Sequence, residues 1–127
     1  MDETMTEKLV SDALKMAIRR VAMKPGAIHH SDRGSQYAAN NFQLLLGAKN
    51  LTPSMSRKGN CWDNAPTESF FHSLKTELIY FENYKTREEA KKSIFEYIEV
   101  FYNRQRLHSS INYKTPVDYE KSFDKCA

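Results

Sequence analysis

Apolar residues recur at helical spacing near the start of the chain, where Met5, Leu9, Ala13, Met16 and Ala17 form one stripe. Thr4 and Glu7 stand three apart just ahead of it. They predict a capping box in which hydroxyl and carboxylate each satisfy an orphan backbone donor. Lys24-Pro25-Gly26 ends that helix. Ala27 to His30 is predicted as a short strand, followed by the polar turn Ser31-Asp32-Arg33-Gly34-Ser35. A second helix is predicted from Asn40 to Lys49 with Phe42, Leu45 and Leu46 inward, and Pro53 to Ser56 reads as a second strand. Arg57 to Trp62 forms a loop around Gly59. Asn64 caps a third helix, since Ala65 and Pro66 then occupy the first turn, where proline forfeits no hydrogen bond. That helix is expected to run to about Tyr80. Thr86-Arg87-Glu88-Glu89 is another capping box, opening a helix with Ala90, Ile94, Ile98 and Phe101 on one stripe. Thr115-Pro116-Val117-Asp118 starts a short terminal helix.

The elements alternate as in an α/β protein. Two strands joined through a helix form a parallel pair, and parallel sheets are normally large and covered on both faces. Two strands of about four residues are too little sheet for this number of amphipathic helices. The sheet is therefore expected to be incomplete within this chain.

Composition changes this picture little. With 127 residues, 40% hydrophobic and 28% charged, the chain fits one soluble globular domain or part of one. A net charge of +3 is too mild to argue for nucleic acid by itself, so the placement of the cations matters more. Arg57 and Lys58 lie together in a polar loop, and Arg104 and Arg106 accompany His108 near the C-terminus; all five are candidates for phosphate contact. Cys61 and Cys126 show no CxxC spacing, which argues against a zinc site or disulfide framework and suits free thiols in a reducing cytoplasm. His29 and His30 beside Asp32 lack further matched ligands for zinc. There is no apolar run of about 20 residues and no signal-peptide pattern, so no membrane is expected as a partner.

The chemistry is carried by two acids. Asp32 follows a predicted strand, and Glu68 sits in the first turns of the third helix. Around that helix Asn64, His72 and Lys75 fall within about 40° of Glu68, whereas Phe70, Phe71, Leu74 and Leu78 share another face. Carboxylates at strand ends and on helix faces suit hard cations such as Mg²⁺. A lysine two turns beyond, on the same face, suits a DNA phosphate.

The segment HHSDRGSQY at 29–37 resembles the second-aspartate motif of bacterial insertion-sequence transposases of the DDE class, and GNCWDNAPTESFFHSLKTE at 59–77 resembles their glutamate motif. The 35 residues between Asp32 and Glu68 match that family's spacing, and Lys75 matches its basic residue seven positions after the glutamate. NRQRLHSSINYKTPVDYE at 103–120 resembles the tail that follows the core. The resemblance implies a retroviral-integrase-like, RNase H-like α/β fold, with residues 1–102 as a partial catalytic core and 103–127 as a transposase tail.

It further implies that Asp32 and Glu68 are catalytic metal ligands and that Lys75 and Asn64 face DNA. Mg²⁺ (or Mn²⁺) would fill a two-metal site only in the complete core. DNA strands at transposon ends and target would be cleaved and joined by a homo-oligomeric complex, cytoplasmic and associated with the nucleoid when bound. In that family three antiparallel strands precede the first helix, and the first carries another aspartate. Neither Asp2 nor Asp12 matches it, so the fold is expected to lack those strands here, and activity would need the missing N-terminal segment or a full-length transposase. The alternatives are a catalytically dead transposon remnant, or a DNA-binding or dimerising modulator of a full-length transposase.

Overall fold

A computed structural model describes residues 3–21, 23–57 and 61–124, apart from the side chains of Cys61 and Asp124. The chain forms two compact units, Met1–Glu68 and Ser69–Ala127. Lys58, Gly59, Asp2 and Cys126 lie outside the described residues.

In the first unit, helix α1 (Glu7–Arg20) leads into strand β1 (Ile28–Ser31), the short helix α2 (Ser35–Ala38), helix α3 (Asn40–Ala48) and strand β2 (Thr52–Met55). The strands pair in parallel, with Ile28 opposite Thr52 and Ser31 opposite Met55. The connection through α2 and α3 supplies the crossover that a parallel pair needs. Phe42 and Leu46, both 1% exposed, join Leu14 and Leu51 in the core, with Val10, Ile18, Ala27, Tyr37 and Leu45 packed against it. The expected inward face of α3 is thus observed. Gly26 adopts a left-handed φ of 81° in the turn ahead of β1, which the Ala27 N–H closes onto the Lys24 carbonyl at 3.0 Å, and the Gly26 N–H donates to the Asn50 carbonyl, just before β2, at 2.7 Å.

The capping box expected at Thr4 does not form. Helix α1 begins at Glu7 with Thr6 at the cap position, and Thr6 makes no side-chain capping bond. The Glu7 carboxylate is occupied instead by the hydroxyl of Ser11, a buried side chain that needs a partner.

A 3₁₀ turn (Cys61–Asn64) precedes helix α4 (Ala65–Glu77), which ends earlier than expected and is followed by a second 3₁₀ turn (Ile79–Phe81). Within α4, Leu74 is buried as its periodicity requires, but Phe71 is 50% exposed and only its neighbour Phe70 is half-buried. Helix α5 (Arg87–Glu96) starts with the expected capping box. Glu89 N–H donates to Thr86 Oγ1 at 3.1 Å, while the Glu89 carboxylate reaches one residue further back, to the Lys85 N–H.

After α5 the helix widens into a π-helical turn (Tyr97–Tyr102). Asn103 N–H donates to the Ile98 carbonyl and Arg106 N–H to that of Phe101, each spanning five residues. This wider turn breaks the expected stripe: Tyr97 is buried, and Phe101 is 41% exposed. A 3₁₀ turn (Ser109–Ile111) and helix α6 (Pro116–Asp124) complete the unit, with Thr115 Oγ1 accepting from the Asp118 N–H at 3.1 Å. No helix among the described residues is long and apolar enough to cross a membrane.

Candidate active site

Asp32 is the first residue after β1. Its Oδ1 accepts the Gly34 N–H at 2.8 Å, an aspartate turn that fixes the side chain where the strand ends. Oδ2 has no hydrogen-bond partner among the described residues, and Asp32 is exposed. Its charge is felt at Tyr37, whose hydroxyl is pushed above its ordinary pKa by burial first and by Asp32 second.

Strand β2 ends beside this turn because the strands are parallel and in register. Ser56, the next residue, donates its N–H to the Ser31 carbonyl at 2.9 Å, and its own carbonyl accepts Arg33 Nε at 2.8 Å. The Ser56 hydroxyl lies 2.9 Å from Asn64 Oδ1. Asn64 is the last residue before α4, and Glu68 stands one helical turn beyond it on the same side. Backbone and side chain thus connect the end of Asp32's strand to the entrance of Glu68's helix. Glu68 is exposed and makes no ion pair or side-chain hydrogen bond among the described residues.

The loop into α4 is clamped by Arg57 and Asp63. Arg57 donates its N–H to Asp63 Oδ2 at 3.0 Å, and its guanidinium reaches both carboxylate oxygens. Hydrogen bonding from Arg57 holds the Asp63 carboxyl below the usual range, with His30 adding a smaller effect. The Arg57 charge is thereby shared with Asp63 on an exposed surface. His29 is part of the core: its ring meets Phe42 edge-on at 5.3 Å, and burial lowers its pKa, which favours the neutral imidazole.

In the second unit His72 and Lys75 are exposed on α4. The other cationic candidates are engaged differently. Arg106 clasps Glu77 through Nε and Nη2 at 2.7–3.0 Å, Tyr97 donates its hydroxyl to Glu77 Oε2 at 2.7 Å, and Arg106 lies over the Tyr102 ring. His108 Nδ1 sits 3.2 Å from Arg106 Nη1, while its buried Nε2 has no hydrogen-bond partner among the described residues. Arg104 Nε donates to the Glu99 carbonyl at 3.1 Å. Arg106 and His108 therefore belong to an internal network that binds the tail to α4 and the π turn, because a guanidinium chelating a half-buried carboxylate is not a free phosphate ligand.

This clasp makes a pH prediction. Hydrogen bonding from Arg106 holds the Glu77 carboxyl below its usual range, opposed by burial and aided by the Tyr97 hydroxyl. A depressed carboxylate contributes stability above its unfolded pKa and loses it as pH falls through the folded value. Urea unfolding should therefore show the chain weakening below about pH 4.3, the ordinary glutamate value. Glu77→Gln should flatten part of that acid slope and cost about 1–3 kcal/mol at pH 7. An unchanged slope would show that the clasp does not set the acid response.

Ser56, Arg33 and Asp63 were not legible as site residues from sequence. Arg33 stood in the quoted motif, but nothing local marked its bond to Ser56, 23 positions away.

Two family models, both described as integrase core domain, match residues 1–61 and 68–123, nearly the whole chain between them. The chain belongs to the integrase core domain family, on its insertion-sequence transposase side. It is 46% identical over its full length to the insertion element IS600 uncharacterized 31 kDa protein of Shigella sonnei, covering 47% of that protein. It is also 46% identical to the transposase for insertion sequence element IS904 of Lactococcus lactis, over 95% of the chain and 48% of the relative, and to the IS3 transposase InsF of Escherichia coli, over 94% and 42%. The chain thus spans about half the length of the curated relatives it matches. Among solved structures, the catalytic core domain of BIV integrase aligns with a TM-score of 0.71 at 21% identity, over 98% of this chain and 77% of that one. The simian T-cell lymphotropic virus intasome aligns with a TM-score of 0.67 at 16% identity, over 84% and 37%. These likenesses identify the fold as RNase H-like.

Proposed function

We propose that this chain is the later part of a transposase catalytic core that cleaves and joins DNA strands, with Asp32 and Glu68 as metal ligands and Lys75 as a DNA contact. The observation that carries the reading is the pair of exposed carboxylates on the linked strand end and helix entrance, neither committed to an ion pair. Oxygen donors of this kind fit Mg²⁺ or Mn²⁺. Two carboxylates supply fewer oxygen donors than a metal pair takes, so Asp32 and Glu68 are read as part of a larger ligand set.

When bound, a metal pair would activate the attacking oxygen and stabilise the leaving oxygen. Asp32 would hold the metal, its turn fixed by the Gly34 N–H on Oδ1 and its Oδ2 without a hydrogen bond among the described residues. Glu68 projects from the first turn of α4, and Lys75 stands two turns along the same helix as a point charge for a phosphate. Asn64 and Arg57 line the entrance of that helix, each already held by a neighbour. Arg104 is a separate candidate phosphate contact within the second unit. The reacting nucleophile is water or a DNA hydroxyl.

Binding of the chain to duplex DNA should weaken linearly with the logarithm of salt, and Lys75→Ala should reduce that slope by about one. In a transposase that contains this segment, joining of a labelled transposon end to target DNA should stop on chelation with EDTA and resume with Mg²⁺. Joining that survives EDTA would overturn the reading.

A further inference from the structure

We propose that Ser56 is a positioning residue: its buried hydroxyl ties the end of Asp32's strand to the helix bearing Glu68 and so sets the separation of the two carboxylates. The proposal rests on the metal-binding reading above and concerns a residue that contacts no metal itself.

Ser56 is only 4% exposed, and a hydroxyl buried this deeply must be satisfied. Its oxygen has three polar neighbours: Asn64 Oδ1 at 2.9 Å, the Ser31 carbonyl at 3.2 Å and His30 Nε2 at 3.5 Å. It has one proton to give. The nearest acceptor, Asn64 Oδ1, takes it, and this bond crosses from strand to helix. The remaining contacts favour this direction. Ser54 Oγ lies 2.9 Å from His30 Nδ1, so a Ser54 hydroxyl donating there leaves Nε2–H pointing at Ser56. The Ser56 oxygen then accepts from His30 while its proton goes to Asn64. Such a string, Ser54 to His30 to Ser56 to Asn64, strengthens each of its members.

Ser56 is also anchored through its main chain. Its N–H is held by the Ser31 carbonyl, one residue from Asp32, and its carbonyl by Arg33 Nε, the residue after Asp32. The backbone of Ser56 is therefore fixed to both neighbours of one candidate ligand. Its hydroxyl is fixed to the residue one turn before the other. The Arg57–Asp63 clamp, by contrast, closes only the loop on itself.

The test uses Mn²⁺ broadening of backbone amide signals in the ¹⁵N-labelled full chain, followed by titration of Ser56→Ala, Ser56→Thr and Asn64→Ala. In the unsubstituted chain the amides at 32–34 and those at 67–69 should broaden together, at the same Mn²⁺ concentration. In Ser56→Ala the two sets should part, with the Glu68 set needing about 10–100-fold more metal, the range typical for residues that orient a ligand. Ser56→Thr, which keeps the hydroxyl, should restore joint broadening. With no metal added, amide exchange at Thr67 and Glu68 should also speed up in Ser56→Ala but not in Ser56→Thr.

Joint broadening in Ser56→Ala identical to the unsubstituted chain would overturn the proposal. If Ser56→Ala fails to fold, Asn64→Ala removes the other end of the same bond from a half-buried position, and joint broadening there would overturn it equally. No selective broadening in the unsubstituted chain would overturn the metal reading itself, and this inference with it.

Discussion

Replacing Asp32 by Asn or Glu68 by Gln is expected to lower DNA joining by at least about 10³-fold in a transposase containing this segment, the scale of losing a preorganised charge clamp on a phosphoryl centre. The amides match the acids in shape, so the loss would be one of anionic oxygen and not of packing. Both side chains are exposed, and Glu68 makes no ion pair or side-chain hydrogen bond among the described residues. Melting temperatures should therefore stay close to that of the unsubstituted protein. Asp32→Asn keeps an oxygen for the Gly34 N–H, so its turn should persist as well. The chain alone is expected to give no joining, because two carboxylates hold an incomplete ligand set. Robust Mg²⁺-dependent joining by the chain alone would contradict that expectation. Equal joining by Asp32→Asn would remove Asp32 from the chemistry.

Phe42→Ala is expected to have the largest effect on stability, about 3–5 kcal/mol, from lost transfer energy and the cavity left behind. Phe42 is 1% exposed at the centre of the first unit, with His29 and Tyr37 edge-on to its ring at 5.3 and 5.6 Å. A loss of that size is a large share of the roughly 5–15 kcal/mol that holds a domain together. His29 lies in β1, three residues before Asp32, so the damage should extend to the strand end that carries the candidate ligand. Phe42→Leu refills most of the volume and should retain the larger part of the stability. Denaturant unfolding followed by circular dichroism measures both. A cost below about 1 kcal/mol for Phe42→Ala would mean that the site collapses around the gap, against the usual behaviour of a close-packed core.

The parts of the fold legible in sequence were those governed by strong local periodicity or strong local chemistry. Phe42 and Leu46 follow helical spacing on a polar background, and Thr86 with Glu89 forms a cap because both partners lie within one turn. Asp32 and Glu68 stood out through long motifs around them. What was not legible depended on partners far along the chain. Arg106 looked like a surface cation because Glu77 lies 29 positions before it. Ser56 looked like a strand terminus because Asn64 and Ser31 become its neighbours only after the strands pair. The Thr4 capping box failed through local competition, with Ser11 taking the carboxylate that the cap required. Phe101 was misplaced because an i→i+5 turn leaves no mark in composition.

That π turn sets the direction in which the chain leaves the helix. A wide turn is an α-helix holding one surplus residue, and the surplus advances each later side chain by about 100° around the axis. Arg106, four residues past the end of that turn, still donates its N–H to the Phe101 carbonyl within it. Its aim at Glu77 is therefore a matter of residue counting as much as of charge. Excising one residue between Ile98 and Phe101 would relax the turn to ordinary winding and rotate the guanidinium away from its carboxylate, although every charged group of the clasp would still be present.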